Sequence, residues 1–99
     1  MTVEVRISRR ALAQVRDAAR WWKRNRPSAP GAIDQELAKA IDLISAQPGI
    51  GARADDVDLA RVRRIRLDRV GYLLYYSAAP ERVEILAFWH VRRGSSPPV

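Results

Sequence analysis

With 99 residues, 47% of them hydrophobic, the chain has material for one compact core and not for two, so a single fold must carry all of its function. No cysteine and a single histidine exclude disulfide frameworks, thiolate chemistry and clustered zinc sites, and nothing implies a metal or a cofactor. Eighteen basic residues against 11 acidic ones give a net charge of +7, a balance that attracts phosphate backbones, acidic protein segments or anionic surfaces.

Thr2-Val3-Glu4-Val5-Arg6-Ile7 alternates apolar and polar residues, the period of a half-buried strand. The start of the chain lacks the apolar core of a secretion signal, and no apolar run approaches the ~20 residues that span a bilayer. A cytoplasmic protein with no membrane partner is therefore expected. Ser8 suits a helix N-cap, and Leu12, Val15, Ala19 and Trp22 then recur at helical spacing until Asn25-Arg26-Pro27 ends the pattern. Opposite that stripe stand Arg9, Arg16, Arg20 and Lys23, a column open to solvent or to a polyanion.

Pro30 falls where a second helix can begin, with Ile33, Leu37, Ala40, Ile41 and Ile44 on one face and Gln47-Pro48-Gly49 as its stop. So short a connection predicts an antiparallel helical hairpin. The stretch from Ile50 to Ala60 has little periodicity and reads as a loop. Its aspartates, Asp55, Asp56 and Asp58, lack the spacing, central glycine and terminal glutamate of a calcium loop.

From Arg61 the period becomes two. Val62 to Leu67, Tyr72 to Ser77 and Arg82 to His90 read as three strands joined by turns at Asp68-Arg69-Val70-Gly71 and Ala79-Pro80-Glu81. The last of these is nearly continuous in apolar residues, as a central covered strand should be. Ser95-Ser96-Pro97-Pro98-Val99 supports no packed element, so one domain over 1–94 and a flexible tail over 95–99 are expected. The fold class is α+β in the order β-α-α-β-β-β, with the hairpin on one face of a small, mainly antiparallel sheet.

Charge follows this division. Residues 1–26 hold eight basic and two acidic groups, 27–60 two and six, and 61–99 eight and three. Sixteen of the 18 basic residues are arginine, whose planar fork suits bidentate phosphate and carboxylate contacts. Trp22 lies on the apolar stripe, whereas Trp21 and one of the adjacent Tyr75 and Tyr76 should point outward as stacking or protein-contact anchors.

Element order, Ala46-Gln47-Pro48-Gly49-Ile50-Gly51, Arg64-Ile65-Arg66-Leu67, Gly71-Tyr72-Leu73-Leu74-Tyr75-Tyr76, Arg82-Val83-Glu84-Ile85-Leu86 and His90-Val91-Arg92-Arg93 together resemble the ParE/RelE superfamily of toxins from type II toxin–antitoxin systems. That resemblance implies growth arrest by one of two routes. ParE-like members poison DNA gyrase without an active site of their own; RelE-like members are ribosome-dependent mRNA endonucleases. A metal-free ribonuclease needs convergent cations and a proton donor. Arg64, Arg66, Arg92 and His90 are the catalytic candidates under that reading, and Arg64, Arg66, Arg92 and Arg93 would bind a target or a phosphate under either. Leu73, however, stands where the RelE-like pattern has a strand arginine, and no tyrosine follows Trp89. Both departures favour the ParE-like, non-enzymatic branch; a basic nucleic-acid-binding module and an inactive family member are the further alternatives. The resemblance also implies an acidic cognate antitoxin, for which Trp21, Arg16, Arg20 and Tyr75 are the expected contacts. The remaining partner is DNA gyrase, or alternatively the ribosome with its mRNA.

Overall fold

The structure is a computed structural model that describes residues 3–99; Met1 and Thr2, the latter part of the predicted first strand, lie outside the described residues. The elements are β1 (Glu4–Ile7), α1 (Arg9–Asn25), α2 (Ala32–Ala46), β2 (Ala52–Arg53), β3 (Val62–Leu67), β4 (Tyr72–Ala78) and β5 (Arg82–His90). They form one five-stranded sheet in the order β1-β5-β4-β3-β2. β3, β4 and β5 make the expected antiparallel meander, and β1 lies parallel to β5. All the chain between them, from the helical hairpin through β4, forms the long connection that a parallel pair requires. β5 is thus central, and both of its faces are covered, with Val83, Ile85 and Phe88 in one core cluster and Leu86, Ala87 and Trp89 at the other, which accounts for its run of apolar residues.

One element was not legible. β2 is a two-residue strand inside the expected loop, with Ala52 opposite Arg64 and Arg53 opposite Arg63. Two residues display no period, and what places them is tertiary: Gly51, immediately before β2, donates its amide to the Tyr76 hydroxyl at 2.9 Å.

At the start of α1 the Ser8 hydroxyl accepts from the Ala11 amide at 3.1 Å, as its N-cap reading requires. The buried face of α1 is rotated by about one residue from the predicted stripe. Ala11, Val15 and Ala18 are buried and Trp22 is half-buried, while Leu12 stays 36% exposed. Alanines let the helix approach β5 closely, so the sheet side takes the small residues rather than the most apolar ones. α2 buries Ile33, Leu37, Ala40 and Ile44, with Ile41 half-buried at the margin.

The main core lies between the hairpin and one sheet face, where Leu67, Leu74, Tyr76, Val83, Ile85 and Phe88 meet the helices. The opposite face carries a smaller cluster of Ala54, Val62, Tyr75 and Ala87, flanked by Leu73, Leu86 and Trp89. An extra residue, Leu86, sits where the β4–β5 register jumps from Tyr75↔Ala87 to Tyr76↔Ile85.

One expectation needs correction here. Neither Tyr75 nor Tyr76 points outward: they are 1% and 0% exposed, because alternate residues of a strand covered on both faces both become buried. The tail carries no helix or strand and makes contacts with the rest of the chain. The Trp89 indole donates to the Ser95 carbonyl at 2.7 Å, Arg10 donates to the Pro98 carbonyl at 2.6 Å, and Val99 packs against the second cluster.

Candidate functional site

The C-terminal ends of α1, β3 and β5 and the start of β4 meet at one end of the sheet. There the turn Leu67–Gly71 closes with Gly71 in the left-handed region (φ 74°), which a side chain would strain. Gly71 also accepts the Val91 amide at 3.0 Å and so ties the β3–β4 turn to the residue after β5. Between this turn and the end of α1 runs a groove of about 550 Å³, lined among others by Trp21, Arg26, Arg66, Tyr72, His90 and Arg92. Two adjoining hollows, of about 240 and 260 Å³, share the wall formed by Trp21, Tyr72 and His90.

The wall is built from register. Tyr72 pairs with His90 across β4 and β5, and its ring stacks on Phe88 at 4.6 Å and meets the imidazole edge-on at 5.1 Å. Burial pushes the Tyr72 phenol above its ordinary range, with the Arg93 charge opposing. The His90 Nδ1 accepts the Arg92 amide at 3.1 Å, so its other nitrogen holds the proton in the neutral ring. On the helix side, Arg26 lies 5.4 Å and 5.8 Å from the centroids of Trp21 and Trp22, a cation–π clamp at the end of α1. Trp22 is fixed through its indole donating to Ala29, whereas Trp21 remains 43% exposed. Arg92 is exposed, and Arg66 pairs with Asp68 at 2.9 Å.

Four residues singled out from sequence therefore share this groove: Arg66, Arg92, His90 and Trp21. Arg93 stands one hollow away, its guanidinium 4.1 Å from the Trp89 ring centroid. Arg16 and Arg20 are exposed on α1, with Arg20 paired to Asp17. Arg64 is not in the groove. It lies on the sheet face away from the helices, 3.3 Å from the Asp56 carboxylate, which also accepts the Tyr75 hydroxyl at 2.6 Å. The hydrogen bond with Tyr75 and the Asp56 charge hold the Arg64 guanidinium above its ordinary range, against a desolvation that lowers it. In the same network Tyr75 is raised, by burial first and by its bond to Asp56 second. An aspartate of the expected solvated loop thus serves as an internal counter-ion, and the expectation that Tyr75 contacts a partner through an exposed ring is corrected by that burial.

Sequence reading missed Arg26 and Tyr72. Arg26 was legible only as a residue ending a helix before a proline, and Tyr72 only as the first residue of a strand. Their juxtaposition depends on the β4–β5 register and on the direction in which α1 leaves β1. Among the described residues no three histidine, cysteine or carboxylate groups assemble a metal site, and no helix is long and apolar enough to cross a membrane.

A helical hairpin on one face of a β1-β5-β4-β3-β2 sheet, with arginines gathered at the strand ends, defines the architecture of a ParE/RelE-superfamily toxin. The family model for the ParE toxin of the type II toxin–antitoxin system, parDE, matches residues 5–94, and the chain belongs to that family. Among solved structures it is similar to a chain of the chromosomal ParDE TA system from P. aeruginosa, with a TM-score of 0.74 at 15% identity over 92% of this chain and 98% of that one. It is also similar to YoeB from Staphylococcus aureus, solved as a dimer, with a TM-score of 0.53 at 20% identity over 91% of this chain and 98% of that one. At such identities both likenesses concern the fold. No match was found among curated protein sequences.

Proposed function

We propose that this type II toxin arrests growth by inhibiting DNA gyrase as a binding protein, with no reaction of its own, and that an acidic cognate antitoxin in the same cytoplasm neutralises it. The observation that carries this reading is Leu73. It lies between Arg66 and Trp89 in the strand register and packs into the apolar cluster of the second face. The resemblance gives RelE-like ribonucleases an arginine at that position to meet charge building on a phosphate, and loss of one such donor costs about a hundredfold or more in rate. Arg66, directly across from Leu73, is paired with Asp68, and Arg64, two residues back on the same strand, is engaged by Asp56 and Tyr75. The family match to ParE supports the same branch. An antitoxin partner is supported by the ParDE likeness and by the charge, since an acidic segment folding onto a +7 domain would cover its arginines.

A second reading has its own observation. Arg66, Arg92 and His90 share one groove, so two cations and a proton carrier stand together, as an mRNA endonuclease would require. The two readings separate in one pair of assays. Purified protein is expected to inhibit supercoiling by gyrase and to leave ribosome-programmed mRNA intact; cleavage of that mRNA with unaffected supercoiling would reverse the choice.

A further inference from the structure

The groove combines features that neither gyrase binding nor antitoxin binding by itself demands. Three arginines, Arg26 just after α1, Arg66 in β3 and Arg92 just after β5, line it together with the aromatic wall of Trp21, Tyr72 and His90. Its one lining carboxylate is Asp68, already paired with Arg66. Among the described residues no carboxylate lies within salt-bridge reach of Arg26 or Arg92. Lys23 and Arg24 in the last turn of α1 add further positive charge at the same helix end. An acidic protein segment could answer the charge and pack on the indole, but it does not repeat an anion and a flat face together along its length. A nucleic-acid strand answers both, because phosphates repeat along it and every base offers a flat face for stacking.

The geometry points to the Trp21–His90 groove as a binding site for a single DNA strand, its phosphates on Arg26, Arg66 and Arg92 and an unpaired base against Trp21. A duplex cannot satisfy the site, since its bases are stacked on one another and present no free face to the indole. At about 550 Å³ the groove has the size of an ordinary small-ligand site, enough for a nucleotide-sized unit rather than a helix. The choice of DNA rests on the gyrase reading, in which the toxin is held against an enzyme that cuts DNA. The toxin would then grip the nucleic acid as well as the protein of its target.

The test needs no gyrase and so stands apart from the proposed function. Binding of a labelled oligothymidylate is followed by fluorescence anisotropy at several salt concentrations. With three phosphate contacts, log affinity is expected to fall with log salt at a slope of about −2, and Arg92→Ala is expected to reduce that slope by about 0.7. Trp21→Ala should weaken binding roughly 5- to 150-fold, the range for one stacked base. Arg82→Ala, which removes an exposed arginine at the far end of β5, roughly 26 Å away along the strand, should leave binding unchanged. Circular dichroism of each variant confirms that it is folded. Binding that is absent, or unaffected by both groove substitutions in folded protein, overturns the proposal. So does equal competition by polyglutamate of matched charge, which would make the groove a site for acidic protein, or a clear preference for oligouridylate, which would make the strand RNA. Failure of this test with supercoiling still inhibited removes the groove site and leaves the gyrase reading intact.

Discussion

Replacing Tyr76 by phenylalanine removes one atom from the middle of the molecule and should disconnect the segment after α2 from the sheet. The Tyr76 hydroxyl donates to the Pro48 carbonyl at 2.8 Å and accepts the Gly51 amide at 2.9 Å, on a side chain that is 0% exposed. Each of these bonds contributes about 1 kcal/mol net, and the Gly51 amide, in a buried residue, would be left without a partner at a further ~1 kcal/mol or more. The expected loss is therefore about 2–3 kcal/mol. For a domain of this size that corresponds to roughly 10–20 °C in Tm. Tyr75→Phe is the internal control. It loses its bonds to Asp56 and Arg64, whose side chains are 35% and 39% accessible and can turn to water instead, so about 1 kcal/mol is expected. Equilibrium urea unfolding of the two variants, with hydrogen exchange at the Gly51 amide, makes the comparison. A cost below about 0.5 kcal/mol for Tyr76→Phe, or one no larger than that of Tyr75→Phe, would refute the argument that this hydroxyl pins residues 48–51 and hence β2.

Gly51→Ala should destabilise by about 2–3 kcal/mol through overpacking, since its new Cβ would lie 2.7 Å from the Tyr76 hydroxyl and 2.9 Å from the Arg64 carbonyl. In a Tyr76→Phe background part of that cost should vanish, and strict additivity in a double-mutant cycle would contradict the assigned contact. Arg92→Ala combined with Arg93→Ala is expected to relieve growth arrest while costing at most about 1 kcal/mol of stability, the loss of the Arg93–Trp89 contact. Undiminished arrest in that folded variant would remove the C-terminal basic pair from the mechanism. Alkali should unfold the domain early. Burial raises Tyr72, Tyr75 and Tyr76 above the ordinary value of 10.0, so the folded state resists an ionisation that the unfolded chain undergoes freely. That contribution is complete below pH 10.0 and is lost as pH rises through the raised values; a urea midpoint that stays flat above pH 10.0 would contradict it.

The sequence by itself determined every element but β2, and their order. Period-two runs marked β1, β3, β4 and β5, and helical spacing between Ser8 and Pro27 and again before Pro48 marked the hairpin, because a half-buried strand or helix must repeat its apolar residues with its own geometry. It also carried the family blocks from Arg64 to Arg93 and the segregation of charge. What only the tertiary structure decided depends on contacts between residues distant in the chain. The inward face of α1 is set by how closely alanines approach β5, not by hydropathy, so Leu12 is exposed and Ala11 and Ala18 are buried. Both tyrosines are buried because the second sheet face has its own cover of loop and tail. Arg64 and Arg66, two residues apart on one strand, part company for the same reason. One meets Asp56 from a loop that has no periodicity to read, while the other reaches a groove completed by the far ends of α1 and β5. Local pattern records which way a side chain can point along its own element; it holds no information about which other element stands opposite.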